Sequence, residues 1–92
     1  MDDQGGVLDR IRSAGRNKLH GDELSAFLRD VDELAGCQDR EAAIVVVDRL
    51  SKSLGLQTPC PQSCYDAFDR CVDSGQSLTK CAGNLVICCN GL

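Results

Sequence analysis

The stretch CYDAFDRCVDSGQSLTKCAGNLVICC, residues 64–89, places four cysteines symmetrically about its single glutamine. Cys71 and Cys81 each lie five residues from this glutamine, and Cys64 and Cys88 each lie twelve residues from it. The apolar residues on either side follow helical spacing, and DSGQS between them is typical of a turn. Two antiparallel helices folded about the glutamine would bring both pairs within the reach of a disulfide. The stretch therefore predicts a stapled helical hairpin.

The ends of both hairpin helices carry start and stop signals. Pro61 is favoured as the first residue of the first helix because its missing N–H needs no partner there, with Cys60 as the cap before it. Ser77 is a suitable N-cap for the second helix, and Asn90 and Gly91 indicate its end. Both predicted helices are therefore bounded by residues that suit a helix terminus.

Two further cysteines flank the symmetric four. Cys60 and Cys89 lie sixteen and thirteen residues from the central glutamine, so a third bridge between them would close the open end of the hairpin. Cys37 is then left without a partner. Spacing alone does not choose among the three pairings that four cysteines allow. Bridges are favoured because a hairpin of about 30 residues is not held by burial alone, and closing the larger loop contributes about 3 kcal/mol in the chain-entropy model.

The first 59 residues contain a single cysteine and predict three helices. A short first helix ends near Gly15. The second has Asp22 as its N-cap and Gly36 beyond its end, and the third has Asp39 as its N-cap. The apolar faces consist of residues at helical spacing: Val7, Leu8 and Ile11 in the first helix, Leu24, Phe27, Leu28, Val31 and Leu34 in the second, and Ala43, Val46, Val47, Leu50 and Leu54 in the third. The run IVVV also suits a short strand, but the residues around it favour a helix.

The segment LGLQTPCP indicates a boundary between two regions. Gly55 suits a left-handed helix cap, and Pro59 and Pro61 cannot continue a helix. We expect an all-α fold, a small helical bundle with a C-terminal disulfide-stapled antiparallel hairpin. Its two regions are a helical region over 1–59 and a cysteine-rich hairpin over 60–92.

The hairpin resembles a known architecture in its CP opening, its central glycine, the nine residues between Cys71 and Cys81, and the CxxxLxxC pattern of its second helix. These features resemble the stapled helical hairpins of mitochondrial intermembrane-space proteins. In those families nine residues separate the cysteines within each helix, whereas here the nine-residue gap spans the turn. The resemblance concerns architecture, and no family membership or function follows from it.

Composition argues against two kinds of partner. The net charge is −4, from 14 acidic and 10 basic residues, and neither region is basic, so nucleic-acid binding is not expected. The longest apolar run, AAIVVV, is far shorter than the roughly 20 residues of a membrane span. The N-terminus shows no signal-peptide pattern, yet seven cysteines in 92 residues suggest an oxidising or extracellular compartment, so the location stays open.

Enzyme activity is not expected from this sequence. CPQSC has three residues between its thiols where a thioredoxin-type motif has two, and no βαβ pattern surrounds it. His20 is the only histidine, so a Cys-His arrangement would depend on that one residue.

Three functions remain, and the first is preferred. It is a small non-catalytic helical protein that is stabilised by disulfides and binds a partner protein. The sequence does not indicate the oligomeric state of the chain. The second is a precursor with a helical leader and a cysteine-rich peptide product, for which ELAGC offers a cleavage-like site.

The third function is binding of Cu(I) or Zn through thiolates, which suit these soft ions. The cysteines concerned are Cys60, Cys64, Cys71, Cys81 and Cys88. Only the first two have the short spacing usual for zinc ligands. In the preferred interpretation, these five and Cys89 form structural disulfides and no cofactor is bound.

Overall fold

The computed structural model describes residues 3–56 and 60–92, and over these residues the protein is all-α. The helices in chain order are α1 (Asp3–Lys18), α2 (Gly21–Ala35), α3 (Arg40–Ser53), α4 (Gln62–Asp73) and α5 (Leu78–Asn90). Neither described range contains a strand, and the run IVVV lies within α3. The predicted fold class is therefore confirmed. Pro59 and the boundary predicted beside it lie outside the described residues.

Four helices form the core of the bundle. α5 packs against α1 and α3, and α2 packs against α1, α3 and the edge of α5. The largest fully buried side chains come from all four: Ile11, Phe27, Val31, Leu34, Val46, Leu50, Cys81, Leu85 and Val86. Among the described helices, α4 packs against α5 alone. The last helix of the cysteine-rich region thus shares one core with the three N-terminal helices, and α4 adds only Cys64 and Phe68 to its edge.

Polar contacts reinforce the position of α5. The Asn90 side-chain amide donates a hydrogen bond of 3.2 Å to the Ser51 hydroxyl on α3, and Ser51 is buried. At the other end of α5, the Thr79 hydroxyl donates to the carbonyl of Ala35 at the end of α2, also at 3.2 Å. Each end of α5 is therefore hydrogen-bonded to a different N-terminal helix.

The predicted end of the first helix near Gly15 is wrong, because α1 continues to Lys18. Gly15 is buried, and a Cβ atom at this position would lie closer than 3.0 Å to the ring of Phe27 on α2. The glycine lets two helices approach and does not stop one. Gly83 has the same role in α5, where a Cβ would come closer than 3.0 Å to the Val7 side chain of α1.

Two predicted helix starts also need correction. α2 begins at Gly21 with His20 as its N-cap, so Asp22 lies in the first turn and does not cap the helix. The shift arises because Gly21 adopts φ +60°, which allows a two-residue connection from α1. α4 begins at Gln62, and Pro61, with ψ 143°, is still extended, so Pro61 and not Cys60 occupies the cap position.

The remaining caps agree with the sequence. The Asp39 carboxylate accepts a hydrogen bond of 2.8 Å from the backbone N–H of Ala42 at the start of α3. Gly55, at φ +93°, closes α3 as predicted, with the next N–H donating back to the carbonyl of Ser51 at 3.0 Å. At α5 the Ser77 hydroxyl accepts from the third residue of the helix at 3.1 Å. These bonds satisfy backbone groups that have no partner within their helix.

Candidate functional site

Three disulfides connect α4, and Cys60 just before it, to α5. Cys71 is bonded to Cys81 next to the turn, and Cys64 is bonded to Cys88 two turns away. Cys60 is bonded to Cys89 at the open end. Their Cα–Cα distances are 5.7, 5.8 and 5.0 Å, which lie within the ordinary range for a disulfide. The structure thus joins the six cysteines in the arrangement that the symmetric spacing predicts.

The disulfides hold a helix that has little packing of its own. Cys64 and Phe68 are the buried residues of α4, and one of them is itself bridged. The other attachment is electrostatic: Arg40 of α3 pairs with Asp69 at 3.3 Å and with Asp73. Ion pairs as exposed to solvent as these contribute little to stability. The bridges are therefore the main attachment of α4 to the bundle.

Three sulfurs meet at the open end of the hairpin. The Sγ atoms of Cys60, Cys64 and Cys89 lie within 4.8 Å of one another. Cys71 and Cys81 belong to no such group within residues 3–56 and 60–92. The five-cysteine ligand set considered from the sequence is therefore not brought together, and the structure adds Cys89, which that set did not contain. The bridge predicted between Cys60 and Cys89 already places Cys89 beside Cys60, but the ligand set was chosen from the spacing of the other cysteines.

The outer face of the hairpin carries an open cleft of about 410 Å³ above two of the bridges. Phe68 and Leu85 form its apolar floor, and Arg70 and Asn84 lie at its rim. The lining contains neither a carboxylate nor an imidazole. The cleft thus offers shape and apolar surface but has no acid–base group for catalysis.

A second concave surface, of about 420 Å³, lies between the end of α2 and the exposed side of α3. We call it the Val45 surface, and its lining residues are Glu33, Gly36, Cys37, Gln38, Ala42, Val45, Val46 and Arg49. Val45 is 58% exposed and is the one large hydrophobic side chain in the described part of the chain that is exposed. The buried face predicted for the third helix does not include Val45, but the sequence gives no sign that the end of α2 lies beside it.

Cys37, the one free cysteine, lies in the Val45 surface. Its Sγ contacts the carbonyl oxygen of Glu33 at 3.4 Å. Burial raises the pKa of the Cys37 thiol, and the carboxylates of Glu33 and Asp39 raise it further, while Arg49 opposes them. A raised pKa keeps the thiol protonated at neutral pH, so it is a poor nucleophile.

The segment around this surface is acidic. Residues 30–52 contain six acidic and three basic residues, a net charge of −3 out of −4 for the chain. All three bases are paired: Arg40 with carboxylates of α4, Arg49 with Asp30 at 3.4 Å and with Glu33, and Lys52 with an aspartate at 3.0 Å. Four of the six acids are also in ion pairs, so the excess negative charge of the segment is centred on Asp39 and Glu41.

The remaining sequence candidates are placed as follows. His20 is exposed at the start of α2, away from a cysteine cluster. Leu34 in the ELAGC segment is fully buried, so cleavage there would require the end of α2 to open. No helix within the two described ranges has the length and hydropathy needed to cross a membrane, as predicted.

No protein-family model matches the chain, and comparison with curated proteins and with solved structures finds no significant relative.

Proposed function

We propose that this chain is a small non-catalytic interaction protein that binds a basic segment of a partner protein at the Val45 surface. The observation that carries the proposal is the exposure of Val45 in a concave, partly apolar surface. Covering the exposed part of a valine contributes about 1 kcal/mol. A partner side chain of aliphatic or aromatic type fits this role, since such residues anchor protein interfaces.

The charge around the surface supports a basic partner. The carboxylates of residues 30–52 outnumber the bases by three, and each base already has an acidic neighbour. Glu41, in the first turn of α3, is exposed to solvent. A lysine- or arginine-bearing segment would be attracted to this surface, which raises the association rate and orients the partner.

Two observations favour a non-catalytic role. The hairpin cleft has no acid–base group, and the free thiol of Cys37 is held in its protonated form by burial and by two carboxylates. The hairpin cleft thus lacks a base, and in the Val45 surface the carboxylate of Glu33 raises the pKa of the Cys37 thiol and does not activate it.

The packing of α5 supports the whole chain as the active form rather than the precursor alternative. α5 lies against α1 and α3, and Asn90 and Thr79 bond to the N-terminal helices. A product starting at residue 38 or 60 would leave part of this core uncovered, at a cost that rises with the apolar area exposed.

The test compares Val45→Glu with Ser25→Glu, which adds the same charge at an exposed position earlier in α2. Proteins captured by the tagged wild-type chain from the cells that produce it are identified, and each is purified and titrated against the three forms. We expect Val45→Glu to weaken binding at least about tenfold, Ser25→Glu to bind like wild type, and affinity to fall with added salt. Circular dichroism verifies that both variants are folded. Equal binding by the two variants would refute the assignment.

A further inference from the structure

We propose that reduction of the two disulfides at the open end of the hairpin creates a three-thiolate site for Cu(I), formed by Cys60, Cys64 and Cys89. The proposal is independent of the Val45 surface, which shares no residue with these three. It assigns a second activity to cysteines that hold the fold together when oxidised.

The first argument is the distance between the sulfurs. A thiolate–metal bond of about 2.3 Å in trigonal geometry requires sulfurs about 4 Å apart. The three Sγ atoms already lie within 4.8 Å of one another, and their Cα atoms are fixed on facing elements. Opening the Cys60–Cys89 and Cys64–Cys88 bonds frees all three sulfurs, and small χ1 rotations would then bring them to the required separation.

The second argument is the composition of the group. Within residues 3–56 and 60–92, the one group of possible ligand atoms that lie within 4.8 Å of one another consists of three cysteine sulfurs and includes no histidine or carboxylate. Thiolates bind both Cu(I) and Zn(II), but structural zinc sites use four protein ligands, whereas this group offers three. Three sulfurs and no harder donor therefore indicate Cu(I) in preference to Zn(II).

The third argument is the environment. Cys64 and Cys89 are buried, and Cys64 lies in the first turn of α4, where the helix carries no acidic residue. The unpaired N–H groups of a helix N-terminus stabilise a thiolate, and no carboxylate in that turn opposes them. A cation bound there would also be shielded from water on the side of α5.

The redox step balances as follows. Each bridge takes two electrons and two protons from a dithiol reductant, which leaves as its own disulfide. Cys88 is exposed, so the Cys64–Cys88 bridge is open to attack at that sulfur. Cu(I) then displaces the protons of three thiols into solvent, and Cys88 remains a free thiol. Cys81 is only 1% exposed, so its bridge to Cys71 can be attacked only at the partly buried Cys71 sulfur, and while intact it keeps the hairpin closed.

The test titrates the anaerobically reduced protein with Cu(I) in competition with bicinchoninate, using tris(carboxyethyl)phosphine as reductant. We expect one Cu(I) per chain in the wild type and at least about a tenfold loss of affinity in Cys60→Ser and Cys89→Ser. The matched control is Cys88→Ser, which removes one thiol outside the group, leaves the Cys71–Cys81 bridge in place and should retain the ion. Equal losses in the control and in the single variants would overturn the proposal, as would uptake of Zn(II) but not Cu(I) by the wild type.

A second measurement needs no variant and therefore does not depend on how a variant folds. The reduced wild-type chain is alkylated with N-ethylmaleimide with and without one equivalent of Cu(I), and each cysteine is followed by mass spectrometry. We expect Cu(I) to slow the modification of Cys60, Cys64 and Cys89, with Cys37 unchanged as an internal reference. Protection of all cysteines alike, or of none, would refute the site.

Discussion

Substitution of glycines by alanine tests the close helix approaches of this fold. In an isolated helix, alanine is more favourable than glycine by about 1 kcal/mol, so each change should stabilise the protein if only helix propensity matters. Gly15 and Gly83 lie inside helices, and a Cβ atom at either position would lie closer than 3.0 Å to a side chain of a neighbouring helix. Gly6 lies in α1 with no heavy atom within 4 Å of where its Cβ would be, so it is the matched control.

The magnitudes follow from what each new methyl group would meet. At Gly15 it meets the ring of Phe27, which is fully buried and has no room to turn away. Overpacking of this kind costs about 1 to 3 kcal/mol against a helix gain of about 1 kcal/mol, which leaves a net loss of about 1 kcal/mol and at most about 2 kcal/mol. At Gly83 it meets the end of the half-buried Val7 side chain, which can change rotamer, so the loss is smaller.

The assay is thermal unfolding of the oxidised protein, followed by far-ultraviolet circular dichroism. We expect Gly15→Ala to lower the Tm by about 5 to 10 °C, Gly83→Ala to lower it by less, and Gly6→Ala to raise it slightly. A Tm for Gly15→Ala at or above that of Gly6→Ala would mean that α1 and α2 do not approach at this point.

Three further outcomes are expected. The double variant Cys71→Ser/Cys81→Ser should lose about 2 to 4 kcal/mol of unfolding free energy in urea melts, whereas Cys37→Ser should be nearly neutral; equal losses would contradict the bridging. Asp39→Ala should cost about 1 kcal/mol in the same melts because it removes a helix cap, and Asp22→Ala should cost clearly less, so a reversed order would restore the cap predicted from the sequence. The pKa of Cys37 is raised above its ordinary value of 9.0, so its alkylation rate in the oxidised protein should still increase above pH 9, and a plateau below that pH would contradict the assigned environment.

Local chemistry explains which features the sequence predicts well. In the Asp39 and Ser77 caps, a side chain accepts a hydrogen bond from an N–H three residues away. Such caps can therefore be predicted from the sequence without knowing the tertiary structure. The pairing of Cys71 with Cys81 follows from equal distances to a turn. The helical spacing of α3 likewise predicts its buried face.

The errors arise where a residue serves a neighbouring helix. In the sequence, Gly15 resembles the end of a helix. The structure shows instead that a side chain at this position would clash with the ring of Phe27 on α2. The buried face predicted for α3 leaves out Val45, but the sequence does not reveal that the end of α2 lies beside this 58% exposed side chain. The Cys60–Cys89 bridge follows from the predicted hairpin, whereas the approach of the Cys64 sulfur to it is a tertiary contact.

The position of α5 in the core also has a consequence for biosynthesis. α1, α2 and α3 are made first, yet the face that they share is covered only when α5 arrives. At about 5 to 20 residues per second, the roughly 40 residues that follow α3 take about 2 to 8 s to synthesise. During that interval the nascent chain has an uncovered apolar face and unpaired thiols, so a holding chaperone would act before an oxidase does.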